Sequence, residues 1–197
     1  RILNTTLDWG SQMRYLTVRK KIKDGDVLAF RGTRWWSWLI RYFTQSRTSH
    51  VGFALWMHGR LCVMEALEGR GIRIIPVSKC LDDGEWIDWY ELHKPKDNKI
   101  DRSLLVEEAL SHWGKQYASP WQFIRTWCRW VRRRKDKAGA PLDVDPDRFF
   151  CSEFVLTCLR QAGYLGEGFA ARLKPAGAAP GDIIELPCLH RMGKLEK

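Results

Sequence analysis

The chain has 197 residues, 45% of them hydrophobic, which suits one domain with a proper core and excludes a chain disordered by composition. No apolar run reaches the ~20 residues that cross a bilayer as a helix, and the first residues lack a signal-peptide layout. A formal net charge of +10 favours anionic partners, whether nucleic acid, acidic lipid or anionic cell-wall polymer, without choosing among them.

Residues 1–23 are polar and basic, with a marginal helix expected over Trp9–Val18. Asp24-Gly25-Asp26 signals a turn, and Val27-Leu28-Ala29-Phe30 reads as a short buried strand. Residues 35–43, rich in Trp, read as a helix or a packed aromatic segment. From His50 the alternation of Val51, Phe53 and Leu55 predicts a strand. His58-Gly59 predicts a hairpin turn, with Leu61–Ala66 as the return strand. Glu68-Gly69-Arg70-Gly71 is a second turn, followed by a strand over Ile72–Val77 and another over 86–92. Residues 25–92 thus read as an antiparallel meander of four or five strands.

Lys94–Asn98 is a polar linker, and a helix pattern follows over 101–114, with Leu104, Leu105, Ala109 and Trp113 apolar and Gly114 as its stop. A second helix pattern over 120–134 sets Ile124, Trp127, Cys128 and Val131 on one face and Arg125, Arg129, Arg132 and Arg133 on another. A breaker loop spans 136–147. The next apolar periodicity, Phe154, Val155, Cys158, Leu159 and Ala162, predicts a helix that starts at or near Cys151 and stops at Gly163. The tail is rich in Gly, Pro and Ala and ends in a short apolar run, Ile183–Leu186. A β half followed by a helical half is an α+β order.

The cysteines at 62, 80, 128, 151, 158 and 188 form no Cys-x-x-Cys pair, so zinc spacing is absent and the pattern suits reduced core residues. Cys151 differs by its place. Unpaired N–H groups and the positive end of the helix dipole stabilise a thiolate at a helix start. A cysteine nucleophile also needs a base and a group to orient that base. His50 opens one strand, and counting across the His58-Gly59 hairpin puts it opposite about residue 67. Glu65 is then its diagonal neighbour, within reach of the imidazole. Taken singly, Cys151 reads as a small core residue, His50 as a strand-end histidine and Glu65 as a solvent-facing strand position.

Five blocks carry a resemblance. Gly25–Phe30, Ser49-His50-Val51-Gly52-Phe53, Met64-Glu65-Ala66, Gly114-Lys115-Gln116-Tyr117 and Phe150–Val155 resemble the blocks of the NlpC/p60 superfamily of papain-like cysteine peptidases. Their order, β blocks first, matches its circularly permuted branch, which includes YiiX-like and lecithin–retinol-acyltransferase-like proteins. Ala179–Ile184 also resembles the end of YiiX-like members. The resemblance implies a permuted papain-like (NlpC-type) fold, with an antiparallel β-meander or barrel packed against the cysteine helix. It implies one catalytic domain over 1–197: a β half at 25–92, a helical half at 101–165 with a basic Trp-rich insertion at about 118–148, and a tail at 166–197.

For the site, the resemblance implies Cys151 as nucleophile, His50 as base and Glu65 as the residue orienting it. Tyr117, Ser49 and Ser152 are expected at the substrate and oxyanion side. No cofactor or metal is implied. The expected activity is a cysteine peptidase or amidase acting on peptidoglycan peptides, as a housekeeping wall hydrolase, a phage lysis factor or an antibacterial effector. Synthesis is expected in the cytoplasm and action at the cell wall or periplasm. Two alternatives stay open. One is a lipid-directed acyltransferase or thioesterase that meets a membrane surface through Trp121–Arg134. The other is a non-catalytic basic module for nucleic acid or membrane; nucleic acid is disfavoured because that reading leaves the Cys, His and Glu unexplained.

Overall fold

The computed structural model describes residues 12–31, 46–93, 101–117, 148–165, 173 and 178–197. The aromatic segment at 35–43, the linker at 94–98, the basic helix at 120–134 and the breaker loop at 136–147 lie outside the described residues, as does most of the tail before Ala178.

The frame is a seven-stranded sheet in the order β1-β9-β6-β2-β3-β4-β5. Its strands are β1 (Gln12–Arg14), β2 (Val27–Arg31), β3 (His50–Met57), β4 (Arg60–Leu67), β5 (Gly71–Pro76), β6 (Trp86–Leu92) and β9 (Leu189–Glu196). β2 to β5 run as the expected antiparallel meander; β6 then crosses back to pair with the free side of β2. Met57 pairs with Arg60, so His58-Gly59 is a two-residue loop. Both loop residues have positive φ, 48° and 74°, which is the type I′ geometry that matches strand twist.

Alternation along the strands serves two cores. Val27, Ala29, Val51, Phe53, Met64 and Ala66 meet the helix α4 (Cys151–Gln161) through Phe154, Val155, Cys158 and Leu159. On the other side Leu28, Phe30, Ala54, Leu61 and Val63 pack with Tyr15 and Val18 of α1 (Tyr15–Val18). Val77, Cys80 and Leu81 of α2 (Val77–Asp82) complete that core. A sheet covered on both faces needs apolar residues at every position, which is why Val27–Phe30 reads as a continuous run.

A buried carboxylate ties the loops to this frame. Asp26 Oδ1 accepts from Leu92 N–H at 3.0 Å and from Arg102 Nη1 at 2.7 Å. Its Oδ2 accepts from Trp89 Nε1 at 2.9 Å and Lys23 N–H at 3.0 Å. Arg102 opens α3 (Arg102–Ser111), which Asp101 caps by accepting from Ser103 N–H at 3.0 Å. Of the four apolar positions expected on that helix and its end, Leu105 and Ala109 are buried, whereas Leu104 and Trp113 are exposed.

Four expectations are corrected. The sheet is open and does not close into a barrel. The outer side of β5 meets the loop after α3 instead, with Ile72 N–H donating to Lys115 O at 2.8 Å and Gly114 N–H to Ile72 O at 3.2 Å. Over the described part of Trp9–Val18, residues 12–18, the helix covers one turn, because Gln12–Arg14 bonds as a strand parallel to β9. Val77 starts α2, where a continuing strand was expected. The tail supplies α5 (Pro180–Ile184) and then a full strand, β9, antiparallel to β6. Buried Asp88 helps hold β9 in place, accepting from Arg191 Nη2 of β9 at 2.7 Å and Arg31 Nη2 of β2 at 2.9 Å. Among the described residues no helix is long and apolar enough to cross a membrane.

Candidate active site

Cys151 is the first residue of α4. Phe150 before it is extended (φ −80°, ψ 158°), so the chain turns into the helix at the cysteine. Phe150 N–H donates to Glu153 Oε2 at 3.3 Å, and Phe154 N–H to Phe150 O at 2.8 Å, which fixes the first turn. At such a helix start the first N–H groups point out of the helix, toward the cysteine end. Upstream, β8 (Arg148–Phe149) pairs in parallel with β7 (Gln116–Tyr117). The Gly114–Tyr117 block is thereby joined to the segment that delivers Cys151.

His50 is the first residue of β3, at the sheet margin. Its Nε2 lies 2.7 Å from Glu65 Oε2. The Cys151 sulfur acts on the charge of the same ring; with Nε2 taken by Glu65, Nδ1 is the nitrogen open to it. Phe30, paired with His50 across β2 and β3, stacks a tilted ring 5.5 Å away. The β3–β4 register, continued from Phe53↔Met64, sets Gly52 opposite Glu65 and makes Glu65 the diagonal neighbour of His50, as expected. A side chain at position 52 would put its Cβ 3.1 Å from Glu65 Cβ and 2.7 Å from Met64 O, so the close approach needs glycine.

The electrostatics follow from this packing. Burial pushes His50 toward the neutral ring, but the Cys151 sulfur and the Glu65 carboxylate outweigh it and raise its pKa to about 10. Burial likewise pushes Glu65 up, and His50 with Arg73 overcomes it, lowering the carboxyl to about 2. Burial alone dominates the other cysteines of the described set. It pushes Cys80 up to about 12 and Cys188 to about 11, and raises Cys158 and Cys62.

Sequence reasoning missed Arg73. Its Nε and Nη2 donate to Glu65 Oε1 at 2.9 and 2.6 Å, opposite the oxygen that meets His50. The signal was present: counting across the 68–71 turn pairs Glu65 with Arg73, a cation between Ile72 and Ile74.

The remaining expected residues have definite places. Ser49 is buried, and its N–H and Oγ both donate to Phe30 O, at 2.9 and 3.2 Å. Ser152 is buried, and its Oγ donates to Ala178 O at 2.5 Å. Tyr117 stands on β7 opposite Phe149; its side chain lies outside the described set. His112 is buried, with Nε2 2.8 Å from Glu108 Oε1 and its ring edge-on to Phe154. Among the described residues no group of three or more His, Cys, Asp or Glu is placed to hold a metal ion.

Comparison with known proteins bears on the family and the fold. A family model described as a permuted papain-like amidase enzyme, YaeF/YiiX, C92 family, matches residues 21–175. Among solved structures, the chain is similar in fold to the metalloprotein yiiX from Escherichia coli O157:H7. The TM-score is 0.59 at 18% identity, over 89% of this chain and 99% of that one. No curated protein matches the chain in sequence.

Proposed function

The chain belongs to the C92 family of permuted papain-like amidases, and on that premise we propose that it is a cysteine hydrolase that cleaves amide bonds through Cys151, His50 and Glu65. The observation that carries this reading is the position of His50, 2.7 Å from a buried carboxylate and within electrostatic reach of the cysteine that opens a helix. The block order is our reason for setting the family beside the permuted branch of the NlpC/p60 superfamily.

The chemistry follows from the parts. The Cys151 sulfur, as thiolate, attacks the carbonyl carbon, and the carbonyl π electrons move to oxygen. The resulting oxyanion sits at the helix start, where the backbone N–H of Cys151 donates to it. His50, protonated at Nδ1, gives that proton to the departing amine as the C–N bond breaks. Glu65 keeps the imidazolium oriented through Nε2. A water molecule then loses a proton to Nδ1 and attacks the thioester, which releases the acid and restores the pair. Ser49 and Ser152 contribute by position, since each hydroxyl fixes main chain beside a reacting residue.

For substrate we propose an amide linkage in bacterial cell-wall peptides, reached at the wall or periplasm by a housekeeping hydrolase, a phage lysis factor or an antibacterial effector. A net charge of +10 suits an anionic wall polymer. Iodoacetamide labelling of Cys151 against pH tests the reactive pair first. Labelling well below the ordinary thiol pKa of about 8.5, lost in His50→Ala, is expected. Ordinary thiol behaviour in both proteins would sink the hydrolase reading. Mass spectrometry of digested peptidoglycan, with Cys151→Ala as control, then tests the substrate. New amine and carboxyl termini support the wall peptide, whereas release of fatty acid from lipid vesicles in its place moves the activity to acyl lipids.

A further inference from the structure

We propose that Arg73 is a positioning residue of this site: by gripping Oε1 of Glu65 it leaves Oε2 as a fixed acceptor for His50 Nε2. The proposal deepens the cysteine-hydrolase reading and rests on it. Its basis is geometric. Glu65 and Arg73 are direct partners on β4 and β5. The Arg73 fork closes on one oxygen at 2.9 and 2.6 Å, and His50 meets the other at 2.7 Å. The carboxylate side chain is 4% exposed and the arginine 26%, so the acid is inside and its counter-ion reaches in from the rim.

The arrangement decides which tautomer the base can adopt. An ionised Glu65 only accepts, so Nε2 carries a proton and a neutral His50 keeps Nδ1 open to take one from Cys151. A protonated Glu65 would donate to Nε2. The proton of a neutral ring would then sit on Nδ1, facing the sulfur, and the ring could accept nothing from it. A buried carboxyl tends to take a proton, and a second cation beside it opposes that. The groups that act on Glu65 are His50 from β3 and Arg73 from β5; Glu65 in turn acts on the Cys80 thiol of α2, and Cys151 from α4 acts on His50. Cys80 has its own acceptor, Pro76 O at 3.7 Å. A lysine at 73 could supply the charge without the fork.

The test titrates the Glu65 side-chain carboxyl by carbon-13 NMR, assigned by Glu65→Gln, between about pH 3 and pH 7, alongside Cys151 alkylation over the same range. In the wild type and in Arg73→Lys the Glu65 resonance is expected to stay flat. In Arg73→Met it is expected to titrate inside the window, raised by about one to three units. Alkylation of Arg73→Met should fall about tenfold in the acid half and recover as Glu65 ionises. A folded Arg73→Met with a flat Glu65 resonance and the wild-type alkylation profile would overturn the proposal. Should that variant fail to fold, Arg73→Gln carries the same two readouts. A wild-type Cys151 that labels as an ordinary thiol, with Glu65 still shifted in Arg73→Met, would sink the hydrolase reading and leave the grip of Arg73 on Glu65 standing.

Discussion

At the scale of single residues, His50 and Glu65 have opposite shifts, to which Cys151 and Arg73 respectively add beside their shared contact. Under the proposed mechanism, removing Cys151 or His50 should cost activity in different ways. Cys151→Ala should lose at least about 10⁴-fold in kcat, because no other group supplies the bond. His50→Ala should lose about 10² to 10⁴-fold, as expected for a missing acid–base group. Both are read as amide cleavage at saturating substrate. The shifts also make stability depend on pH. His50 binds its proton more tightly when folded, so its contribution is complete below about pH 6.5 and lost as pH rises through about 10. Glu65 holds its proton less tightly when folded, so its contribution is complete above about pH 4.5 and lost as pH falls through about 2. Melting temperature should therefore fall at both ends. The alkaline fall should shrink in His50→Ala and the acid fall in Glu65→Gln. Equal falls in all three proteins would contradict this assignment.

At the scale of elements, the site depends on two joints. One is the loop before β2, where Asp26 accepts four hydrogen bonds from 23, 89, 92 and 102. Asp26→Ala would take the counter-ion from Arg102, which keeps its bonds to Asp24 O and Leu92 O, and leave three N–H donors without their acceptor; it should cost about 3 to 5 kcal/mol in urea unfolding. The other joint is the outer side of β5. Gly71 has φ 69°, and a Cβ there would lie 2.3 Å from Lys115 O. Lys115 leads directly into β7, and β7 pairs with the strand before Cys151. Gly71→Ala should cost about 1 to 3 kcal/mol from its backbone conformation. It should also slow Cys151 alkylation, because it pushes the two halves of the site apart. Gly59→Ala, at a hairpin with open space around it, should cost stability and leave alkylation unchanged.

At the scale of the whole molecule, the charge of +10 acts as a field as well as a list of contacts. Association of Cys151→Ala with an anionic wall preparation, followed by co-sedimentation, should weaken strongly between about 0.1 M and about 1 M salt. The Debye length falls from about 10 Å to about 3 Å over that range. Binding that ignores salt would exclude charge attraction as its source. The fold also explains why the β blocks can precede the cysteine helix. α4 packs on β3 and β4 through long-range contacts, so the order of the pieces along the chain is free to change as long as those faces meet.

The sequence by itself determined what short-range physics controls. Positive φ at His58 and Gly59 makes the hairpin, and the hairpin sets the diagonal of His50 and Glu65. Apolar spacing and Gly163, with φ 76°, bound the helix that starts at Cys151. Only the tertiary structure decided what depends on partners distant in the chain. Gln12–Arg14 became a strand because β9 offers it hydrogen bonds. β9, half polar in sequence, joined the sheet because β6 and the buried Asp88 receive it. His112 was buried by Phe154, a residue its own helix pattern does not contain. Arg73 was legible by counting across its turn, but its meaning required knowing that Glu65 is buried and already shared with His50. A side chain's neighbours along the chain set its conformation; whether it is buried, and beside which charge, is set by strands and helices that meet only when the chain folds.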